Sequence, residues 1–410
     1  MHNFFTQFNQ SGVIKVMEEA RKHGYTVSDK TWCNFGQGSA EPGIIKGAPE
    51  RITSFKVSHK QNAYAPVSGL NILRQHTADL YNQLFRNKKN LVKFDLENVD
   101  ISGGGRMALS RIIASLGKIK VAYFVPDYSS YEGILSVFNN IDPIPYYLKA
   151  QNNFQFNLAE FKKFQQKYKI KALILSNPSN PTGNVIIGRK LKALIEFARE
   201  AKFLIIFDEF YFNYLYDEQK QLFSATEYLK NIEKDPIIII SGLSKSWRYS
   251  GWRVCWSLGP KKIIQKLSIV GSFLDGGTSN PLQNASLQII NRDNLIKETK
   301  AINRVFTQKR NLLVENLQKL DFIVNKPKGS FYVWANVKNL AEPINTGIKF
   351  FNQALREKFI VVPGKYFDLN PHRRRRKLNM TDYVRFSFGP NLNQIKIGIR
   401  SIHRLIEKFR

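Results

Sequence analysis

The sequence predicts an α/β protein in two lobes, and three observations carry that expectation. Short apolar runs alternate with stretches of helical periodicity, the pattern of strands joined by crossover helices. Several runs end in loops rich in Gly, Ser, Asn and Pro, where open α/β sheets collect their ligands. At 410 residues the chain exceeds the size at which a single core keeps growing. Its 43% hydrophobic and 13% aromatic content is enough for large cores, and no repeat period is visible.

Taken in order, residues 13–22 read as a helix that Gly24 stops. A Gly/Pro-rich loop, NFGQGSAEPG (34–43), contains Gly38. NAYAPVSGLNIL (62–73) leads into Arg74; alone, its Tyr64 reads as a packed aromatic. ISGGGRMALSRIIASL (101–116) is a glycine turn running into an amphipathic helix. Such a turn lets backbone N–H groups approach an anion, and the helix N-terminus adds favourable partial charge. The strand-like VAYFV (121–125) precedes PDYSSY, where Tyr128 alone would be an ordinary loop tyrosine. KALILSNPSNPTG (171–183) is a buried strand ending in an Asn/Pro turn.

Residues 191–201 have apolar positions at helical spacing. FLIIFDEFY (203–211) then delivers Asp208 to a strand's carboxyl end, although aspartate is also a common cap or turn residue there. PIIIIS (236–241) is too short for a helix and rich in β-branched residues, so it reads as a buried strand. Lys245 follows at once in a Ser/Gly loop, with Arg253 two residues after Gly251. A lysine desolvated in such a crevice loses pKa and becomes a nucleophile towards carbonyls. The plain alternative is a surface loop holding one of many lysines. Residues 298–320 form a long amphipathic helix. With KPKGSFYVWANV (326–337), VVPGKYF (361–367) and DYVRFSFGP (382–390) it reads as a smaller second lobe.

The formal net charge is +30. The lysines are spread along the whole chain, mixed with Asn, Ile and Phe, which is a compositional bias rather than a binding stripe. The one dense cluster, RRRRK at 373–377, reads as a solvated loop first and an anion or partner patch second. The aliphatic runs are far too short for a membrane span, and the first residues lack the regions of a signal peptide. Two cysteines, Cys33 and Cys255, make no disulfide framework, which fits a reducing, cytoplasmic location. No metal ligands are read from the sequence.

In order and spacing these motifs resemble those of the fold-type I, class I/II aminotransferases, from about residue 34 to residue 390. The resemblance implies a three-layer α/β/α large domain with a mostly parallel sheet over residues 45–285. It implies a smaller α/β domain over 286–410, which the N-terminal segment 1–44 joins. It also implies pyridoxal phosphate as cofactor. S-K-x5-G-x-R (244–253) resembles the family's lysine motif, so Lys245 would form the Schiff base and Arg253 would bind the phosphate. Gly104, Gly105 and Arg106 match its phosphate cup, Tyr128 the aromatic stacked on the ring, and Asp208 the partner of the ring nitrogen. Asn180 and Tyr211 would contact the phenolic oxygen, with the Asn180–Pro181 bond cis. Arg385, with Gly38, would clamp the substrate's α-carboxylate. Tyr64, Thr278 and Ser279 would reach the other subunit's site in a homodimer.

Two departures stand out. The family's phosphate-binding serine three residues before the lysine is Gly242 here, flanked by Ser241 and Ser244, so that contact shifts or is lost, with Ser244 a candidate. Cys255 replaces a common glycine, an expected packing effect only. Where dicarboxylate-specific members place an arginine, this chain has Asp275, which leads to the expectation of a cationic or polar substrate side chain. The activity implied is transfer of an amino group from an L-amino acid to a 2-oxo acid. A lyase or cyclase sharing the same scaffold is the alternative. A nucleic-acid-binding or regulatory protein is a remote third reading, motivated by the charge.

Overall fold

The structure, a computed structural model, describes residues 10–410 except 89 and 218. Seven strands form the main sheet, in the order Val99–Ser102, Cys255–Leu258, Ile237–Gly242, Leu204–Asp208, Ala172–Ser176, Ile119–Val125 and Ile141–Tyr147. Cys255–Leu258 runs antiparallel to both of its neighbours, and every other pairing is parallel. All residues of Ala172–Ser176 and Ile237–Gly242 are buried, so both faces of the sheet are covered. This is why those strands read as continuous apolar runs rather than alternating ones.

The parallel strands end together, and the register brings the chemistry to one edge. Ser176 pairs with Asp208, and Asp208 with Ile240, two residues before Gly242. Lys245 lies in a single helical turn, Leu243–Ser246, directly after its strand, rather than in an open loop. The helix Gly105–Ser115 begins at the glycine turn that follows Val99–Ser102.

A second sheet is antiparallel, ordered Val362–Pro363, Tyr383–Ser387, Tyr332–Asn336, Ile323–Val324. Its Arg385 stands between Trp334 and Val362. Cys33–Asn34 pairs in parallel with Phe359–Ile360, so the N-terminal segment is stitched to the C-terminal part of the chain. The long helix is Arg292–Lys319, starting earlier than its apolar pattern suggests because the Asn291 side chain caps it, accepting from Asn294 N.

One expectation about the backbone fails. The Asn180–Pro181 bond is trans, and the cis X–Pro bonds are Val125–Pro126, Asn177–Pro178 and Glu342–Pro343. Both Asn–Pro bonds of the turn are tertiary amides with a weak intrinsic preference, so surroundings select the isomer. Around the first of them, the Asn177 amide holds Ile186 by two hydrogen bonds.

Candidate active site

A cavity of about 310 Å³ opens at the carboxyl ends of the central strands. The central sheet contributes Asp208, Lys245, Ser244 and Asn180 to it. Tyr211 enters from the turn after Asp208, and Tyr128 from the loop after Ile119–Val125. Gly105, Arg106 and Arg253 also line it, as do Gly38 and Arg385. Eleven residues that the sequence singled out, far apart along the chain, therefore share one space.

The electrostatics of that space follow from burial. Desolvation, reinforced by the Arg385, Arg106 and Arg253 charges, lowers the Lys245 amine to about 8. Its Nζ donates to the Gly38 carbonyl. Desolvation raises the Asp208 carboxyl to about 6, against hydrogen bonds that favour its charged form. The main one comes from Tyr131, whose hydroxyl donates to Asp208 Oδ2 at 2.9 Å. Tyr211 and Tyr332 share a hydroxyl–hydroxyl hydrogen bond of 2.8 Å, and desolvation pushes both phenols up, Tyr332 to about 12.

Arg385 is buried, and no ion pair to a carboxylate is formed by it among the described residues. Its Nη1 donates to Asn180 Oδ1 at 3.0 Å and its Nη2 to Gly36 O at 2.8 Å. The guanidinium lies over the Tyr332 ring, and its Nε has no partner. A buried cation without a counter-charge is costly unless something else supplies the anion.

Arg253, by contrast, lies against the turn glycines. A side chain on Gly104 would run into the Arg253 guanidinium, and a β-carbon on Gly105 would lie 2.5 Å from the Phe210 ring. Gly104 also has φ +98°, which favours glycine. Backbone N–H groups at the start of an 11-residue helix thus face an arginine across a cradle with no room for side chains. That donor set fits a phosphate. The buried, unpartnered Ser244 Oγ fits a further polar ligand.

Not every candidate gathers here. Tyr64 is 99% exposed and lies outside the cavity of its own chain, as do Thr278 and Ser279. Asp275 also lies outside that cavity, and the expectation of a cationic or polar substrate side chain that rested on it loses its support. Its carboxylate is taken by Arg111, whose Nε donates to Oδ2 at 2.8 Å and whose Nη2 bonds Oδ1 at 2.5 Å. Within the cluster at 373–377, Arg374 pairs with Asp142 and Arg375 with Asp368, so part of that charge is spent inside the molecule.

Sequence reasoning missed Tyr332, Tyr131 and Asp127. Asp127 is buried; it accepts from Tyr128 N at 2.7 Å and is hydrogen-bonded to Ser176 Oγ, which in turn accepts from Asn180 N at 3.0 Å. Desolvation raises its carboxyl to about 8. The spacing of PDYSSY held the only available signal for Asp127 and Tyr131.

The family model "Aminotransferase class I and II" matches residues 30–402. The chain belongs to this aminotransferase family. An aspartate aminotransferase of Sulfurisphaera tokodaii is 26% identical over 391 residues, covering 91% of this chain and 90% of the relative. A probable aspartate/prephenate aminotransferase of Aquifex aeolicus is 26% identical over 384 residues, covering 92% and 91%. The solved structure of the aspartate aminotransferase from Thermus thermophilus with maleate shares the fold at a TM-score of 0.80 and 20% identity, covering 97% of each chain. As a member of this family the chain is a pyridoxal phosphate-dependent transaminase, acting on amino acids and 2-oxo acids. Among the described residues, no helix is long and apolar enough to cross a membrane.

Proposed function

We propose that this aminotransferase works through Lys245, with the residues around the cavity in the following roles. Lys245 would hold the cofactor by its aldehyde group and, once an incoming amino acid has taken that place, its freed amine would act as base and acid for the proton at the substrate Cα. An amine lowered to about 8 suits both tasks, since roughly a tenth is unprotonated at pH 7, far more than for an ordinary lysine. When bound, pyridoxal phosphate supplies an electron-withdrawing ring that stabilises the electron pair left at Cα. Asp208 faces the ring nitrogen, and the Tyr131 hydroxyl favours its charged form. Arg253, with the backbone N–H groups of Gly105 and Arg106 beside the bare Gly104, holds the phosphate. Tyr128 lies against the ring, and Asn180 and Tyr211 bond the phenolic oxygen.

Arg385 is the single observation that carries the substrate side of this reading. It is buried, charged and without a carboxylate partner, and its fork suits a substrate α-carboxylate. Gly38 completes that end of the cavity. The relatives named for aspartate support an acidic amino acid as one substrate. Arg106, an exposed residue that lines the cavity and donates to Ser130 Oγ at 3.2 Å, offers that side chain a cation. The enzyme acts as a cytoplasmic homodimer in which Tyr64, Thr278 and Ser279 complete the partner's site. The exposure of Tyr64 and the two buried free thiols support this. The division at residues 45 and 285 describes its domains.

The test is an amino-donor screen with purified protein, reading oxo-acid formation and the visible absorption of bound cofactor. Aspartate or glutamate should be consumed with a matching aminated acceptor. Lys245→Ala should lose both the lysine-dependent absorption and turnover. Normal turnover in that variant would reject the reading.

A further inference from the structure

A second cavity, of about 880 Å³, adjoins the catalytic one and shares Ser11, Arg106, Ser129 and Ser130 with it. The catalytic cavity, at about 310 Å³, lies at the lower limit of ligand pockets. Once pyridoxal phosphate is bound there, a substrate's side chain needs room beyond it, and the larger cavity supplies that room.

The charge lining the larger cavity is unbalanced. Lys15, Lys365 and Arg106 all contribute to it. Desolvation, and after it the Lys15 charge, lowers the Lys365 amine, so the two lysines feel each other. Neither forms an ion pair among the described residues, and Lys365 Nζ lies 5.1 Å from the centre of the Tyr366 ring. Glu132 and Asp368 also line the cavity, but both are engaged by other groups. Glu132 Oε2 accepts from Asn370 N at 2.9 Å, and Asp368 Oδ1 from Arg375 Nη2 at 2.8 Å.

Neutral donors point the same way. The helix Gly12–Lys22 begins at this cavity, its N-cap Ser11 makes no side-chain capping bond, and its first turn holds no acidic residue. A side chain on Gly12 would run into the Tyr366 ring, so the start of that helix stays bare. Uncapped N–H groups at a helix start attract anions. Ser129, only 7% exposed, lines both cavities, and its hydroxyl has no hydrogen-bond partner among the described residues. A buried hydroxyl without a partner at the junction of two cavities is a group short of a ligand.

We propose that the larger cavity is the subsite for a substrate side chain ending in a phosphoryl group. Two neighbouring lysines without counter-charge suit a dianion better than a single carboxylate, and ammonium groups bind phosphate as point charges. The bare helix start and the Ser129 hydroxyl supply donors for the phosphoryl oxygens. An acidic amino acid then serves one half of the transamination, and a phosphorylated amino acid or oxo acid serves the other. The proposal rests on the reading of the smaller cavity as the catalytic site with Arg385 as its carboxylate clamp.

The experiment uses the full chain loaded with pyridoxal phosphate and three unreactive carboxylates: pentanoate, glutarate and 4-phosphonobutyrate. These differ only in a methyl, carboxylate or phosphonate end, and calorimetry gives their dissociation constants. The phosphonate should bind about tenfold more tightly than glutarate, as added contacts between charged groups predict. In the Lys15→Met/Lys365→Met chain that advantage should vanish, with pentanoate binding unchanged. Ser129→Ala should cut it about fivefold and reads the same subsite should the double variant not fold. Equal affinities for glutarate and the phosphonate overturn the proposal, as does an advantage that survives these substitutions. Arg385→Met separates the two readings, since it should weaken all three ligands alike. If the parent binds none of them, or Arg385→Met leaves all three unchanged, the clamp reading fails and the proposal falls with it. Weakening by Arg385→Met with no preference for the phosphonate rejects the proposal alone.

Discussion

Two buried arginines, one in the helix after the glycine turn and one in the second sheet, have different company. Arg111 lies between Asp100, at 3.0 Å, and Asp275, at 2.5 Å, both of them carboxylates within its own fold. Arg385 has a neutral amide, a carbonyl and aromatic faces, with one nitrogen left bare. Where the chain supplies both signs of charge, the charge holds the fold together. Where it supplies only one, the proposed function fills the gap: the carboxylate of an amino acid would be the missing partner. Burial alone does not separate these cases, since both side chains are enclosed.

The sharpest way to break this contrast is to remove each arginine in turn. Arg111→Met leaves two buried carboxylates facing each other, and it should destabilise the protein by about 3–5 kcal/mol in chemical denaturation. Asp275→Asn should lose a smaller part of the same stability. Arg385→Met should do the reverse, melting at or above the parent temperature while kcat/KM falls about 100-fold through the loss of charge-assisted contacts. A melting loss in Arg385→Met as large as that of Arg111→Met would end the distinction.

The same substitution should move a titration. Arg385 is the first charge after desolvation among the causes that lower Lys245. Capture of pyridoxal phosphate by stripped protein needs the neutral amine, so its rate should rise with pH and level off above about 8. In Arg385→Met the inflection should shift to higher pH, because one cation disfavouring the lysine's charged form is gone.

A smaller effect concerns Asp127. Its folded pKa, about 8, lies above its ordinary value of 3.8. The folded protein therefore binds this proton more tightly than the unfolded chain does. Its contribution to stability is complete below the unfolded value and is lost as pH rises through the folded one. Asp127→Asn should flatten the decline in stability between about pH 4 and 8, measured by denaturant titration across that range. Asp100 and Glu209 carry raised values of the same sense, so part of the slope should remain.

Much of this was legible in the sequence for a definite reason. Strands buried on both faces, such as Ile237–Gly242, advertise themselves as unbroken apolar runs, and the residues that follow them land at one edge by topology. The edge strand Ile141–Tyr147 was not legible. Its IDPIPYY carries two prolines, and it pairs on one side only, where a missing N–H is tolerated. Asp275 was misread because its partner, Arg111, lies 164 residues away, and only the fold brings them together. Tyr131 and Asp127 sit beneath the residues that touch the cavity, so their importance lies in what they hold, which no local spacing reveals.

The loop at residues 34–43 deserves a last consequence. Gly36 O accepts from Arg385 and Gly38 O from Lys245, while the strand just before them, Cys33–Asn34, is paired with Phe359–Ile360. One short strap of main chain therefore moors both Arg385 and Lys245. A carboxylate that claims Arg385 competes with the first mooring, and the second lies only two residues along.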